Sequence, residues 1–201
     1  MQLPQDIKWH FIGHLQSNKA KILLKGVPNL YMVEGVDSSK SATALDKACA
    51  GRTELLRVMV QVNTSNEDSK SGCDETEYLE VVEHILKSCK KLLFSGLMTI
   101  GKLGDPNPEP YFLKLAKCRT EVAKRFSLKE QDILLSMGMS GDFELAIRMG
   151  SNNVRVGSTI FGSRPPKVQP VTSFSLQHHA HSRKPNLDPC RGPTSRPHDT
   201  Q

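Results

Sequence analysis

The residues best equipped for chemistry lie in "SMGMSGDFELAIRMGSNNVRVGSTIFG", from Ser136 to Gly162. Two strand-like runs, ending near Met137 and Val156, each stop in glycine and hydroxyl residues: Gly138-Met139-Ser140-Gly141 and Gly157-Ser158-Thr159. Unpaired amide hydrogens at such a turn, the positive end of a helix dipole and a serine hydroxyl together suit a phosphate, and glycine lets the backbone come close to it. Ser140 is placed to cap a helix expected over 142–149, and Gly157 and Ser158 offer a second set of amides beside the first. In a regular strand Arg155, two residues before Gly157, points the same way as Gly157, into the ligand space. A Ser-Gly helix start also serves as a plain cap, and a strand arginine also serves as a solvated or ion-paired residue. On these residues alone both readings stay open.

The elements that must position them follow a steady alternation. Strands are expected at Trp9 to Ile12, Leu30 to Val36, Arg57 to Val62, Leu92 to Ile100, Ile133 to Met137 and Val154 to Val156. Helices are expected near Asn18 to Lys25, after Asp37-Ser38-Ser39 with Ala42, Leu45 and Cys49 on one face, and with Leu79, Val82, Leu86 and Cys89 on another. A long helix behind Pro110 carries Phe112, Leu115, Ala116, Val122, Ala123 and Phe126, and the helix of the opening segment turns Phe143, Ala146 and Ile147 inward. Strands alternating with helices of crossover length imply an α/β fold with a parallel sheet, open or curled into a barrel. Either architecture gathers ligands at the carboxyl ends of the strands. That singles out His14 and Gln16, Glu34 and Asp37, Asn63 and Thr64, Met98 and Thr99, Ser136 to Ser140, and Arg155 to Thr159.

Several of these have bland alternatives. His14 lines the site mouth or is simply packed or solvated; Asn63 reaches a ligand or simply ends its strand. Met98, Met137 and Met139 read as interior filling, and Glu77, Glu80 and Glu83 as a solvated face rather than a metal site. The five cysteines are scattered, odd in number and never spaced C-x-x-C, against a disulfide framework or a zinc site. Cys89 reads as a small buried hydrophobe. No metal site is expected.

Composition, at 37% hydrophobic and 24% charged over 201 residues, is that of one globular domain. No apolar run approaches the roughly 20 residues of a membrane span, and no targeting peptide is readable, so the expectation is a cytoplasmic protein without membrane contact. The net charge of +6 does not point to nucleic acid. Six basic residues against two acidic ones fall in 164–201, which leaves +2 for the body. That stretch also holds seven of the twelve prolines and His178, His179 and His181. It reads as a disordered, basic, Pro/His-rich tail behind a domain spanning 1–163.

Four phrases carry a resemblance: "IKWHFIGHLQSNKAK", "GLMTIG", "LSMGMSGDFELAI" and "GSNNVRVGSTIFGSR". In this order, over about residues 5 to 164, they closely resemble the pyridoxal phosphate homeostasis proteins, also called proline synthase co-transcribed homologues. The resemblance implies a (β/α)₈ TIM barrel like the N-terminal domain of alanine racemase, the fold-type III pyridoxal 5'-phosphate (PLP) architecture. It implies that Ser140, Gly157 and Ser158 hold the cofactor phosphate and that Arg155 faces the pyridine nitrogen. It implies a cofactor carrier and homeostasis factor, not an enzyme, with PLP-dependent apoenzymes as candidate partners.

Two departures accompany it. The resemblance places the Schiff-base lysine on a first barrel strand, with a second strand before the Trp-His strand that here begins at Trp9; no lysine of this chain matches it, Lys70 and Lys102 included. After Gly162-Ser163-Arg164, where the resemblance implies an ordered helix, Pro165-Pro166 opens the tail. The expectation is a partial barrel with about six of eight strands, two unpaired strand edges, and weak noncovalent binding of PLP. A splice product and an incomplete gene model both fit a shortened chain. Two other readings compete: a racemase-like or decarboxylase-like enzyme, which needs the lysine, and a non-binding fragment acting through protein association.

Overall fold

The computed structural model describes residues 3–67, 72–74, 76–102 and 104–162, and all structural statements concern these. The tail expected over 164–201 and Lys70 lie outside the described residues. Six strands form one sheet in sequential order, each parallel to the last: β1 (Trp9–Phe11), β2 (Leu30–Val36), β3 (Leu56–Gln61), β4 (Leu92–Met98), β5 (Leu134–Met139) and β6 (Asn153–Arg155). Between them run α1 (Ala20–Gly26), α2 (Ser39–Ala48), α3 (Tyr78–Ser88), α4 (Glu109–Phe126) and α5 (Phe143–Arg148), and a short α6 (Ser158–Phe161) follows β6.

Local chemistry accounts for these boundaries. Ser38 starts α2 with a capping box: its hydroxyl accepts from the Ser41 amide while Ser41 Oγ accepts from the Ser38 amide. Pro110 sits in the first turn of α4, where a missing N–H costs nothing, and Ser127 ends that helix in the left-handed conformation. Along β3 the side chains alternate. Leu56, Val58 and Val60 join the large core under the helices, and Met59 turns to the other side of the sheet to meet Met32 and Met98.

The sheet is curled. A flat sheet would hold β2 and β6, four steps apart, at about 19 Å. Instead, Asn153 Nδ2 on β6 donates to Glu34 Oε1 on β2 at 2.8 Å, and Ser136 Oγ on β5 donates to Glu34 Oε2 at 2.5 Å. The concave side thus carries an apolar layer of Met32, Met59 and Met98 and a polar layer of Glu34, Ser136, Asn153 and Arg155. This is the expected partial TIM barrel. Among the described residues, the outer edges of β1 and β6 have no strand partner.

Three sequence expectations need correction. β5 runs on through Met139, because Gly138 adopts φ +96° and continues the strand under α5 where a turn was expected. In α3 the buried stripe is Tyr78, Val81, Val82 and Ile85, and Leu86 is 41% exposed. The tyrosine, amphipathic in composition, anchors that face because its hydroxyl donates to Glu121 at 2.6 Å. In α5 Ala146 is buried while Ile147 is 52% exposed; Leu145 and Met149, four apart on one face, pack on the core instead.

Candidate functional site

The carboxyl ends of β5 and β6 are adjacent, with Met139 paired to Arg155. An open cleft of about 740 Å³ lies there, lined by Ser140, Gly141, Arg155, Gly157 and Ser158. Its remaining wall comes from Ile12 after β1 and from the loop after β4, including Lys102 and Asp105. That loop is shaped by Asp105, which accepts from the Asn107 amide at 2.9 Å and from the Tyr111 hydroxyl at 2.6 Å.

Ser140 does not cap α5, contrary to expectation. Asp142 holds the N-cap position, and its carboxylate accepts from the Met139 amide at 2.6 Å, closing the turn. Ser140 is left free to reach across, and its Oγ accepts from the Gly157 amide at 2.9 Å and the Thr159 amide at 3.4 Å. The two amides therefore converge on one oxygen. A Cβ built on Gly157 meets nothing within 4 Å, so its missing side chain leaves open cleft rather than relieving a packing clash. Ser158 opens α6 beside it.

Arg155 ends β6 and reaches inward. One guanidinium nitrogen donates to Ser136 Oγ at 2.7 Å and another to the Thr99 carbonyl oxygen at 2.7 Å. Burial lowers its pKa below the ordinary guanidinium value, opposed by the charges of Glu34 and Asp142. Glu34 is fully buried. Burial works to raise its pKa, but hydrogen bonds from His10 and Ser136 and the charges of His10 and Arg155 outweigh it, holding the carboxyl below 4.5. His10 Nδ1 lies 2.6 Å from Glu34 Oε1.

Ser140, Arg155, Gly157 and Ser158 are thus brought together; Asn63 and His14 are not. His14 pairs with Asp37 at 2.8 Å and lines a different cleft with Ser38 and Lys40, because Gly13 at φ +110° diverts the chain after β1. Asn63 folds back into its own loop, donating to the Glu67 carbonyl oxygen at 3.1 Å and accepting from Ser65 at 3.3 Å. Met98 fills the concave side as expected, Met137 packs under the helices, and Met139 lines the cleft. Asp105 and Ile12 were missed: one sits on a loop whose path no periodicity encodes, the other reads as plain strand. Burial raises the Cys73 thiol to about 12 and the Cys89 thiol to about 11, so neither offers a thiolate. Among the described residues no group of His, Cys, Asp and Glu could hold a metal, and no helix is long and apolar enough to cross a membrane.

Residues 6–165 match the family described as alanine racemase, N-terminal domain. The chain is 49% identical to the mouse pyridoxal phosphate homeostasis protein, over 83% of this chain and 62% of that protein. It is 43% identical to the human one, over 98% of this chain and 68% of that protein. It therefore spans roughly three fifths to two thirds of the length of these curated relatives. The structure of PipY from Synechococcus elongatus with PLP bound superposes with a TM-score of 0.65 at 29% identity, covering 80% of this chain and 72% of that one. The chain belongs to the alanine racemase N-terminal domain family, and within it to the pyridoxal phosphate homeostasis proteins.

Proposed function

We propose that this chain binds PLP in the cleft between β5 and β6 and serves, without catalysis, as a cytoplasmic carrier in the homeostasis of that cofactor. The observation that carries this reading is the convergence of the Gly157 and Thr159 amides on Ser140 Oγ. That hydroxyl oxygen stands where an oxygen of a bound phosphate accepts the same two amides, with Ser140 and Ser158 then turning their hydroxyls to the anion. A cleft of about 740 Å³ is ample for a cofactor of this size.

Arg155 faces the pyridine nitrogen in this reading. PLP supplies enzymes with an electron sink when its ring nitrogen is protonated. A guanidinium donates a hydrogen bond but does not yield its proton, so beside Arg155 the ring stays neutral and the sink stays weak. That disfavours racemase-like chemistry and favours carriage. The family resemblance places the attachment lysine on a strand ahead of Trp9, and these 201 residues hold no match to it. Binding by this chain is therefore noncovalent and weaker than covalent attachment would make it, with PLP-dependent apoenzymes as the recipients.

Titration of the purified chain with PLP, followed by fluorescence or calorimetry beside a circular-dichroism melt, tests the reading. Saturable binding without a borohydride-trapped lysine supports it. A cooperative melt with no saturable binding defeats it, and turnover of amino acids in the presence of PLP defeats its non-enzymatic part.

A further inference from the structure

Glu34 is the most unusual residue of the concave side: a carboxylate with no solvent exposure, on a strand that takes no part in the cleft. It accepts from His10 Nδ1 at 2.6 Å and Asn153 Nδ2 at 2.8 Å on one oxygen, and from Ser136 Oγ at 2.5 Å on the other. Ser136 has a single hydroxyl proton. Spending it on Glu34 leaves the Ser136 lone pairs to accept from the Arg155 guanidinium at 2.7 Å, which orders the chain Arg155 to Ser136 to Glu34 in one direction. The second Arg155 contact, to the Thr99 carbonyl oxygen at 2.7 Å, fixes the plane of the guanidinium. A planar fork held at two points presents its remaining N–H groups in one orientation.

We infer that Glu34 is a positioning residue for the cofactor ring: through Ser136 it sets the pose in which Arg155 meets the pyridine nitrogen. This rests on the proposed PLP site. A purely structural Glu34 would tie β2 to β5 and β6 and affect every ligand of the cleft alike. A positioning Glu34 affects only ligands that have a ring nitrogen. The 1-deaza analogue of PLP, with C–H in place of that nitrogen and the same phosphate, separates the two.

The test measures dissociation constants of PLP and of 1-deaza-PLP for the full chain, for Glu34→Gln and for Ser136→Ala, by calorimetry, with melts to establish folding. Ser136→Ala leaves Glu34 Oε1 its His10 and Asn153 donors and removes the hydroxyl that joins Oε2 to Arg155. The wild-type chain is expected to prefer PLP by about tenfold or more, and each folded variant to lose most of that preference while still binding the analogue. An unchanged preference in both variants overturns the inference and leaves the PLP site standing. No saturable binding of PLP by the wild-type chain overturns the site and the inference with it. Equal wild-type affinity for the two ligands removes the Arg155 ring contact, and the inference falls while the phosphate cradle stands. Loss of a cooperative melt in both variants also overturns it, because the relay then serves the fold.

Discussion

Ser140 Oγ accepts the Gly157 amide at 2.9 Å across 17 positions of sequence, joining the ends of β5 and β6 by one hydroxyl. The contact is exposed, so it contributes little to stability and much to the shape of the cleft. Ser140→Ala should therefore weaken PLP binding by about tenfold, the cost of one hydrogen bond to a charged group, with the melting temperature within a degree or two of wild type. Parallel calorimetry and thermal melts check both halves. A large loss of stability would mean that the hydroxyl serves the fold.

Gly157→Val separates space from packing. Nothing lies within 4 Å of a Cβ at this position and its backbone lies at negative φ, so the substitution should be folded and of near-wild-type stability. Its side chain would project into the proposed phosphate position. PLP binding should fall by a hundredfold or about 3 kcal/mol, twice the effect of the serine change, as read by fluorescence titration. Retained affinity would place the phosphate elsewhere.

Gly138→Ala should do the reverse. Gly138 has φ +96°, and an added Cβ would lie 2.5 Å from Ala146 Cβ and 3.0 Å from Phe143 Cα. Left-handed strain and overpacking each cost about 1–3 kcal/mol, so denaturant unfolding should show a loss of roughly 2–6 kcal/mol or no folded protein at all. A neutral result would mean that α5 can move off β5, and with it the turn that presents Ser140.

Much of this was legible in the sequence. The six strands and the parallel order follow from β-branched runs such as Val58 to Val62 alternating with amphipathic stretches such as Ala42, Leu45 and Cys49, all of which are buried as their spacing implies. Ser140, Arg155, Gly157 and Ser158 are close in sequence and lie at or just past the ends of neighbouring strands, so their grouping needed only one pairing. His14 and Asn63 depended on where a loop turns, and a positive φ at Gly13 and a side-chain bond from Asn63 to Glu67 decide that. Glu34 stood among the strand-end residues, but its contact with Asn153 spans 119 positions and exists only because the sheet curls. No local pattern reports curvature.

Glu34 also makes stability depend on pH in a defined direction. Its carboxyl is held below its ordinary value of 4.5 in the folded chain, despite burial, by His10, Ser136 and Arg155. A depressed folded value means that the carboxylate's contribution is fully present above pH 4.5 and is lost as pH falls through the lower folded value. Protonation would put a second hydrogen at Oε2, which accepts from Ser136, or a third at Oε1, which accepts from His10 and Asn153, and so weakens the donor contacts that hold the carboxylate. Glu34→Gln has no such proton to gain. The wild-type chain should be more stable than the variant at neutral pH, and the difference should shrink below about pH 5, while the other carboxylates, Asp105 among them, titrate in both proteins and cancel. Denaturant unfolding of the two proteins across that range checks it. A difference that stays constant with pH would mean that Glu34 is already protonated in the fold, and that Arg155 has its counter-charge elsewhere.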